Sequence, residues 1–462
     1  MVSQAARQYR PLALAVMLVM TVAAVQAQQP RSAEDSWKRG VERYEKGDFD
    51  GAIAEFNRAI DAYQSDAAAY GRNNQARSAF TESVTVNYGP MVVMVPRVAA
   101  LYHNRGLAKL RKGETDEAIA DFDEVIRLAP RDASAWLHRG AAYQGRGEME
   151  RAIADYNRAI AIYPRYTEAW YDRGIARREL GQVKEALADF NRALELNPRL
   201  ADALINRGGL FLDQGELNRA LADFNQALKI NSRDFRTLNN RALVRYKQGD
   251  VKGALADLDR AIANNKEDPT AWLNRSTVRL ENNDYDGAIA DCNKAIELNP
   301  KLSAAWGNRA NARQLKGDVD GAIADYGHAI ELSPNLAATW FNRGNLWQDR
   351  GRPDQALADF NQALRLDPQL SAAWNNRGNL YFVKGEFDKA LSDYTRAIEL
   401  DSQYTLALAN RGLTLLMLNR DAEAERDFTR CRAIDGTRSA RLERRISETR
   451  RLRELARQQA KK

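Results

Sequence analysis

The sequence predicts an all-α chain, a right-handed superhelical solenoid of about eleven helix-turn-helix repeats. Three observations predict it. The chain matches itself at a period of 34 residues. The fifteenth residue of every repeat is Gly or Asn. The twentieth is always Ala, from Ala52 to Ala424. The repeats begin at Ala33 and then, without a break, at Ala99, Ala133, Thr167, Ala201, Phe235, Pro269, Ser303, Ala337, Ser371 and Thr405.

Each position of the repeat has a physical reason. Position 4 is large and apolar, as at Tyr102, Trp136, Leu204, Trp306 and Trp374, and position 8 is Gly, Ala or Ser, as at Gly140, Ala242 and Ser276. With position 11 they fall on one face of a helix, and positions 20, 24 and 27 fall on one face of a second. Position 15 is Gly in nine repeats and Asn283 or Asn419 in the other two, residues that tolerate the left-handed conformation ending the first helix, A. Pro at position 32, as at Pro130, Pro198 and Pro334, stops the second helix, B. Small residues at 8, 20 and 27 let the helices approach. One such hairpin cannot bury its apolar face alone, so neighbours stack.

This pattern resembles the tetratricopeptide repeat (TPR) family over residues 33–66 and 99–438. One departure is informative. Position 7, apolar in most of the family, is Arg in every repeat from Arg39 to Arg411, while position 23 is Glu55 and then Asp from Asp121 to Asp427. In an antiparallel hairpin the two positions lie opposite each other, which predicts a repeated Arg–carboxylate pair tying helix A to helix B.

Taken along the chain, Met1–Ala27 reads as a secretory signal peptide: Arg7 and Arg10, an apolar run Leu12–Val25, and Val25-Gln26-Ala27 before the expected cleavage. No other stretch could span a membrane. The expectation is an exported protein, periplasmic or envelope-associated if the source is bacterial. Residues 33–66 form a first, isolated repeat. Residues 67–98 are an insert in which Val84–Val86 and Met91–Val95 flank Asn87-Tyr88-Gly89-Pro90, the pattern of a small β-hairpin. Ten contiguous repeats occupy 99–438. Residues 439–462 form a basic capping helix or tail, with Leu442, Ile446 and Leu455 to pack on the last repeat and Arg450, Arg451, Arg453, Lys461 and Lys462 left in solvent. Cys292 and Cys431 lie about four repeats apart and read as two buried, inert thiols.

The formal charge of +7 is concentrated at the ends. Residues 437–462 hold ten Lys or Arg against three Glu, so the body of the chain is near neutral. That argues against nucleic acid as a partner. The basic tail offers peripheral contact with an anionic membrane or polymer. The three histidines, His103, His138 and His328, read as scattered over distant repeats without metal-ligand spacing, and no phosphate loop or nucleophile motif is present. The expectation is no catalytic residue, no metal and no cofactor.

Function is then sought on the groove-facing positions of helix A, which the resemblance places at 2, 5, 6, 9 and 13. Position 6 is Asn104, Asn206, Asn240, Asn274, Asn308, Asn342, Asn376 and Asn410, with His138 and Asp172 between, and Asn311, Asn345 and Asn379 add a second amide one turn along. A carboxamide offers an acceptor and two donors, which suits it to bracket a peptide bond. The resemblance is to superhelical TPR arrays whose position-6 asparagines grip extended polypeptide, and it implies a non-catalytic scaffold binding a protein or peptide partner, most richly over 303–404. The alternatives are an architectural subunit of an envelope or secretion complex that docks by its outer surface or insert, and a polysaccharide-export accessory.

Overall fold

The computed structural model describes residues 31–69, 83–88, 91–434 and 439–459. The expected signal peptide, residues 70–82 and 89–90 of the insert, residues 435–438, and Lys461 and Lys462 of the tail lie outside them. The described residues form 23 helices and one two-stranded sheet. They fall into two compact parts, an N-terminal part ending at Ser232 and a C-terminal part from Arg233. Each is a stack of antiparallel helix pairs, and the fold is all-α.

In the ten contiguous repeats helix A ends at position 13 or 14 and helix B runs from position 17 to position 30, as in Ser303–Leu315 followed by Val319–Leu332. The link between them turns on a left-handed residue at position 15. Nine are glycines, from Gly47 to Gly385, and the two exceptions are Asn283 at φ 61° and Asn419 at φ 60°. Asn is one of the few side-chain-bearing residues that hold this conformation at modest cost.

Packing inside the hairpin depends on position 8. A Cβ on Gly344 would lie 2.8 Å from Cε1 of Phe360, and one on Gly174 2.8 Å from Cε1 of Phe190. Two of the three repeats without this glycine carry a smaller residue at position 24: Ala242 faces Leu258, and Ser276 faces Cys292. Both cysteines are buried free thiols, and burial pushes the Cys292 thiol up to about 11.

The first repeat is isolated in sequence and joined in space. Arg105 donates to Asn57 across the insert at 2.6 Å, Lys112 pairs with Asp50, and Gln64 donates to the Tyr102 hydroxyl. The insert contributes strands β1 (Ser83–Tyr88) and β2 (Met91–Pro96), antiparallel, with Val84 opposite Val95 and Tyr88 opposite Met91. Val95 is buried in the apolar core shared by the first repeats, while Met94 is exposed.

The terminal helix Ser439–Gln459 starts one period after Thr405, so it is the A helix of a twelfth, unfinished repeat. Leu442 takes position 4 and is 5 % exposed; Ile446 takes position 8 and is 2 % exposed. Among the described residues no helix B presses on position 8 here, so a branched side chain fits where other repeats need a small one. Two expectations for this segment are corrected. Leu455 is 45 % exposed because it lies beyond the turn that meets the last repeat. Arg453 is not left in solvent: it donates to the Leu416 carbonyl and pairs with Asp421 at 2.7 Å.

Candidate functional site

The A helices are held in register by a side-chain lattice, and that lattice decides which polar groups remain for a ligand. Its centre is the position-7 arginine. Arg309 donates through Nε and Nη2 to the two oxygens of Asp325 at 2.8 and 2.7 Å, and through Nη1 to Asn293 on the preceding helix B. The pair recurs from Arg39–Glu55 to Arg411–Asp427. The third contact recurs at Arg139–Asp123, Arg173–Asn157 and Arg377–Asn361. Where this third contact is made, the guanidinium joins three helices; Arg343, which follows Gly327 at position 25, is hydrogen-bonded to Asp359 alone among the described residues.

Two further groups close the lattice. The position-4 indole stacks on the same guanidinium, with Arg309 4.7 Å from the Trp306 centroid. Its N–H reaches the carbonyl at position 32 of the previous repeat, from Trp306 to Pro300 at 3.0 Å and from Trp340 to Pro334 at 2.8 Å. Where position 11 is basic, a second cation reaches the same carboxylate: Arg313 to Asp325, Arg279 to Asp291 and Lys109 to Asp121. Where position 11 is Tyr143 or Phe211, a cation from helix B lies over the ring instead, Arg151 or Arg219 at 3.9 Å. The position-25 acceptors and the position-11 cations escape a reading of sequence one helix at a time. The signal was present, since position 25 is Asn or Asp in eight of eleven repeats.

The position-6 amides all lie on helix A and none is fully exposed. In the N-terminal part Asn104 is half-buried and its Nδ2 has no partner among the described residues. Asn206 is saturated, donating to the Tyr171 hydroxyl and the Asp202 carbonyl and accepting from Arg178. In the C-terminal part Asn240 is half-buried. Asn274 donates to Asn239, Asn308 to Ser276 and Thr277, and Asn376 to Asn345. Asn342 is a hydrogen-bond partner of Tyr326. These donors bridge to the preceding A helix, so much of the row is spent on the stack.

Asn410 leaves the candidate set. It is 7 % exposed, donates to Asn375 and Asn379, and accepts from Arg445 of the terminal helix at 2.8 Å. Arg445 sits at position 7 of the unfinished repeat, which has no Asp at position 23, and burial lowers its pKa.

The second amide row faces the opposite way. Asn311 accepts from the Tyr326 hydroxyl, Asn345 from Asn376, and Asn379 from Tyr394 at 2.8 Å and from Asn410. Their oxygens are occupied inside the protein, and their Nδ2 groups have no hydrogen-bond partner among the described residues.

Two histidines expected to be scattered are neighbours. His103 Nε2 lies 3.0 Å from His138 Nδ1, because position 5 of one repeat meets position 6 of the next, as Asn239 meets Asn274. Ser134 lies 3.4 Å from the same nitrogen, and Asp132 caps helix A beside it. Burial holds both imidazoles well below the ordinary histidine value. At the next position 6, burial and then the charge of Glu168 push the Asp172 carboxyl up to about 7. Among the described residues no group of three or more His, Cys, Asp or Glu is arranged to hold a metal ion. Nor is any described helix long and apolar enough to cross a membrane.

Four models of tetratricopeptide or TPR repeats match the sequence, at 103–167 and 239–303, at 139–207, at 208–249 and 311–351, and at 337–370 and 371–404. Together they span residues 103–303 and 311–404, and the matches at 337–370 and 371–404 coincide with the repeat limits read from the side chains.

The chain belongs to the tetratricopeptide repeat family.

No curated protein matches this TPR chain. Solved structures similar to it include a TPR protein from Parabacteroides merdae, with 21 % identity and a TM-score of 0.42 over 54 % of this chain and 98 % of that one. YrrB, described as a TPR protein with an unusual peptide-binding site, shows 23 % identity and a TM-score of 0.34 over 40 % of this chain and 95 % of its own. Yeast Tom70 shows 15 % identity and a TM-score of 0.39 over 93 % and 96 %.

Proposed function

We propose that this TPR protein is a non-catalytic interaction scaffold whose C-terminal part holds an extended segment of another polypeptide along helix A. The observation that carries the reading is the composition of one face. At positions 2, 5, 6, 9 and 13 of the Ser303, Ala337 and Ser371 repeats, Asp349 is the only charged residue and seven of the fifteen are Asn. A neutral strip of amides matches the uncharged, polar backbone of a peptide better than it matches a charged partner. The N-terminal part differs, since Glu168, Asp172, Glu179, Asp202 and Asp213 occupy the same positions in two of its repeats.

The test places a cation in the strip. Ala338 is exposed at position 2, and Ala338→Arg should abolish capture of a protein client from envelope extract while helicity is unchanged. Equal capture by both proteins would overturn the reading in favour of docking by the outer surface or the insert. Capture that survives protease digestion of the extract would favour a polysaccharide ligand. The same reading places the protein outside the cytoplasm, on the strength of Met1–Ala27, and Edman sequencing of the mature chain should begin at Gln28.

A further inference from the structure

The two amide rows of the C-terminal part are wired in opposite senses. Position-6 asparagines spend donors on the preceding repeat: Asn308 gives hydrogen bonds to Ser276 at 3.3 Å and Thr277 at 2.8 Å, and Asn376 to Asn345 at 2.8 Å. Position-9 asparagines spend their oxygens, on Tyr326, Asn376 and Tyr394. Those internal bonds fix which way each position-9 amide points. What is left is an Nδ2 group with two N–H donors, once per repeat, at one register on three successive A helices. Each of these side chains is half-buried.

A row of donors whose paired oxygens are occupied selects a ligand that presents acceptors. Spacing selects its conformation. Packed helices lie about 8–10 Å apart. A polyproline II chain turns once in three residues at about 3.1 Å each, so its carbonyls return to one face every ~9.3 Å, unpaired. A β-strand returns to one face every ~6.6 Å and loses step after the first repeat. Proline has no backbone N–H, so a proline-rich chain brings no donor that would be left unmatched against the occupied oxygens.

We infer that Asn311, Asn345 and Asn379 make the ligand contacts while the position-6 asparagines brace the stack, and that the segment they take is an uncharged, proline-rich chain in polyproline II form. This rests on the reading that the helix A face binds polypeptide. One backbone carbonyl in three meets one asparagine, and the side chains between are unconstrained.

The test uses full-length protein and three labelled 12-residue peptides, one proline-rich and uncharged, one rich in Thr and Val, and one proline-rich with acidic residues, read by fluorescence anisotropy. The variant Asn311→Asp/Asn345→Asp/Asn379→Asp keeps each internal acceptor and removes the donors. The expected result is preferred binding of the uncharged proline-rich peptide, weakened at least about tenfold in that variant and retained in Asn308→Ala, whose donors go to Ser276 and Thr277 and to no position-9 amide. Preference for the Thr/Val peptide, or binding indifferent to the Asp variant, would overturn the inference. Failure of all three peptides while a client is still lost on Ala338→Arg would also overturn it and leave the function standing. Capture insensitive to Ala338→Arg would remove the function itself.

Discussion

A methyl group on Gly344 would come within 2.8 Å of the Phe360 ring, closer than any relaxed carbon contact. The same ring-to-glycine contact recurs in eight repeats, between Gly40 and Phe56 at one end and Gly412 and Phe428 at the other. Gly344→Ala should therefore destabilise the C-terminal part by about 1–3 kcal/mol, although Ala is the better helix former by about 1 kcal/mol. Urea unfolding measures it. Phe360→Leu on that background should recover part of the loss, as the Ala242–Leu258 pairing implies; no recovery would mean the ring is not the obstacle.

Asp325 answers two guanidiniums, Arg309 at 2.7 Å and Arg313 at 2.8 Å. Asp325→Ala leaves both cations without their carboxylate in a half-buried setting and should cost about 3–5 kcal/mol. Arg313→Ala, which leaves the Arg309 pair intact, should cost less than 2 kcal/mol. Equal losses would mean that the Arg309 pair adds nothing beyond the Arg313 contact.

The His103–His138 contact should make the N-terminal part acid-sensitive. Burial holds both rings below the ordinary histidine value of about 6.5, so the folded state keeps them neutral while the unfolded chain takes up protons. Stability is then intact above pH ~6.5 and falls below it, by about 1.4 kcal/mol per pH unit for each ring. The decline ends only at the lower folded values. His138→Asn, which restores the residue most repeats carry at position 6, should flatten the difference between unfolding midpoints at pH 7 and pH 5. An unchanged slope would assign the acid response to the carboxylates.

Ile446 is held at a position where other repeats need a small residue, and it closes the end of the stack. Ile446→Ala should cost about 2–5 kcal/mol locally. Hydrogen exchange should accelerate in Thr405–Met417 and the terminal helix before it does in the Ser303 repeat. Uniform acceleration would mean that the C-terminal part opens as one body.

Helix limits, the left-handed turns and the Arg–carboxylate pairs were legible in the sequence because each depends on residues of one hairpin. The Asn283 and Asn419 turns, for example, need nothing but their own backbone. What was not legible depends on the next repeat. The donors of Asn308 and Asn376 look free in a single repeat and are consumed 31 or 32 residues earlier in the chain. His103 and His138 look unrelated until position 5 is laid against position 6 of the following helix. The terminal segment is legible as a basic helix that packs Leu442 and Ile446 on the last repeat; that these two residues keep the 34-residue register appears only when the helix is laid on its neighbour. Burial of Asn410 follows from that register and from nothing in its own repeat.

The bond from each position-4 indole to the preceding position-32 carbonyl has a consequence for how such a chain can change length. The junctions before Trp306 and Trp340 share this bond, as do those before Trp136, Trp170, Trp272 and Trp374. Excising residues 303–336 would bring Trp340 to the Pro300 carbonyl that Trp306 now uses, and Arg343 to Asn293 in place of Gly327. The cut would remake the indole bond and give Arg343 an acceptor at position 25 that Gly327 cannot supply. Unequal crossing-over that removes this repeat would therefore preserve the junction and shorten the row of A helices by one.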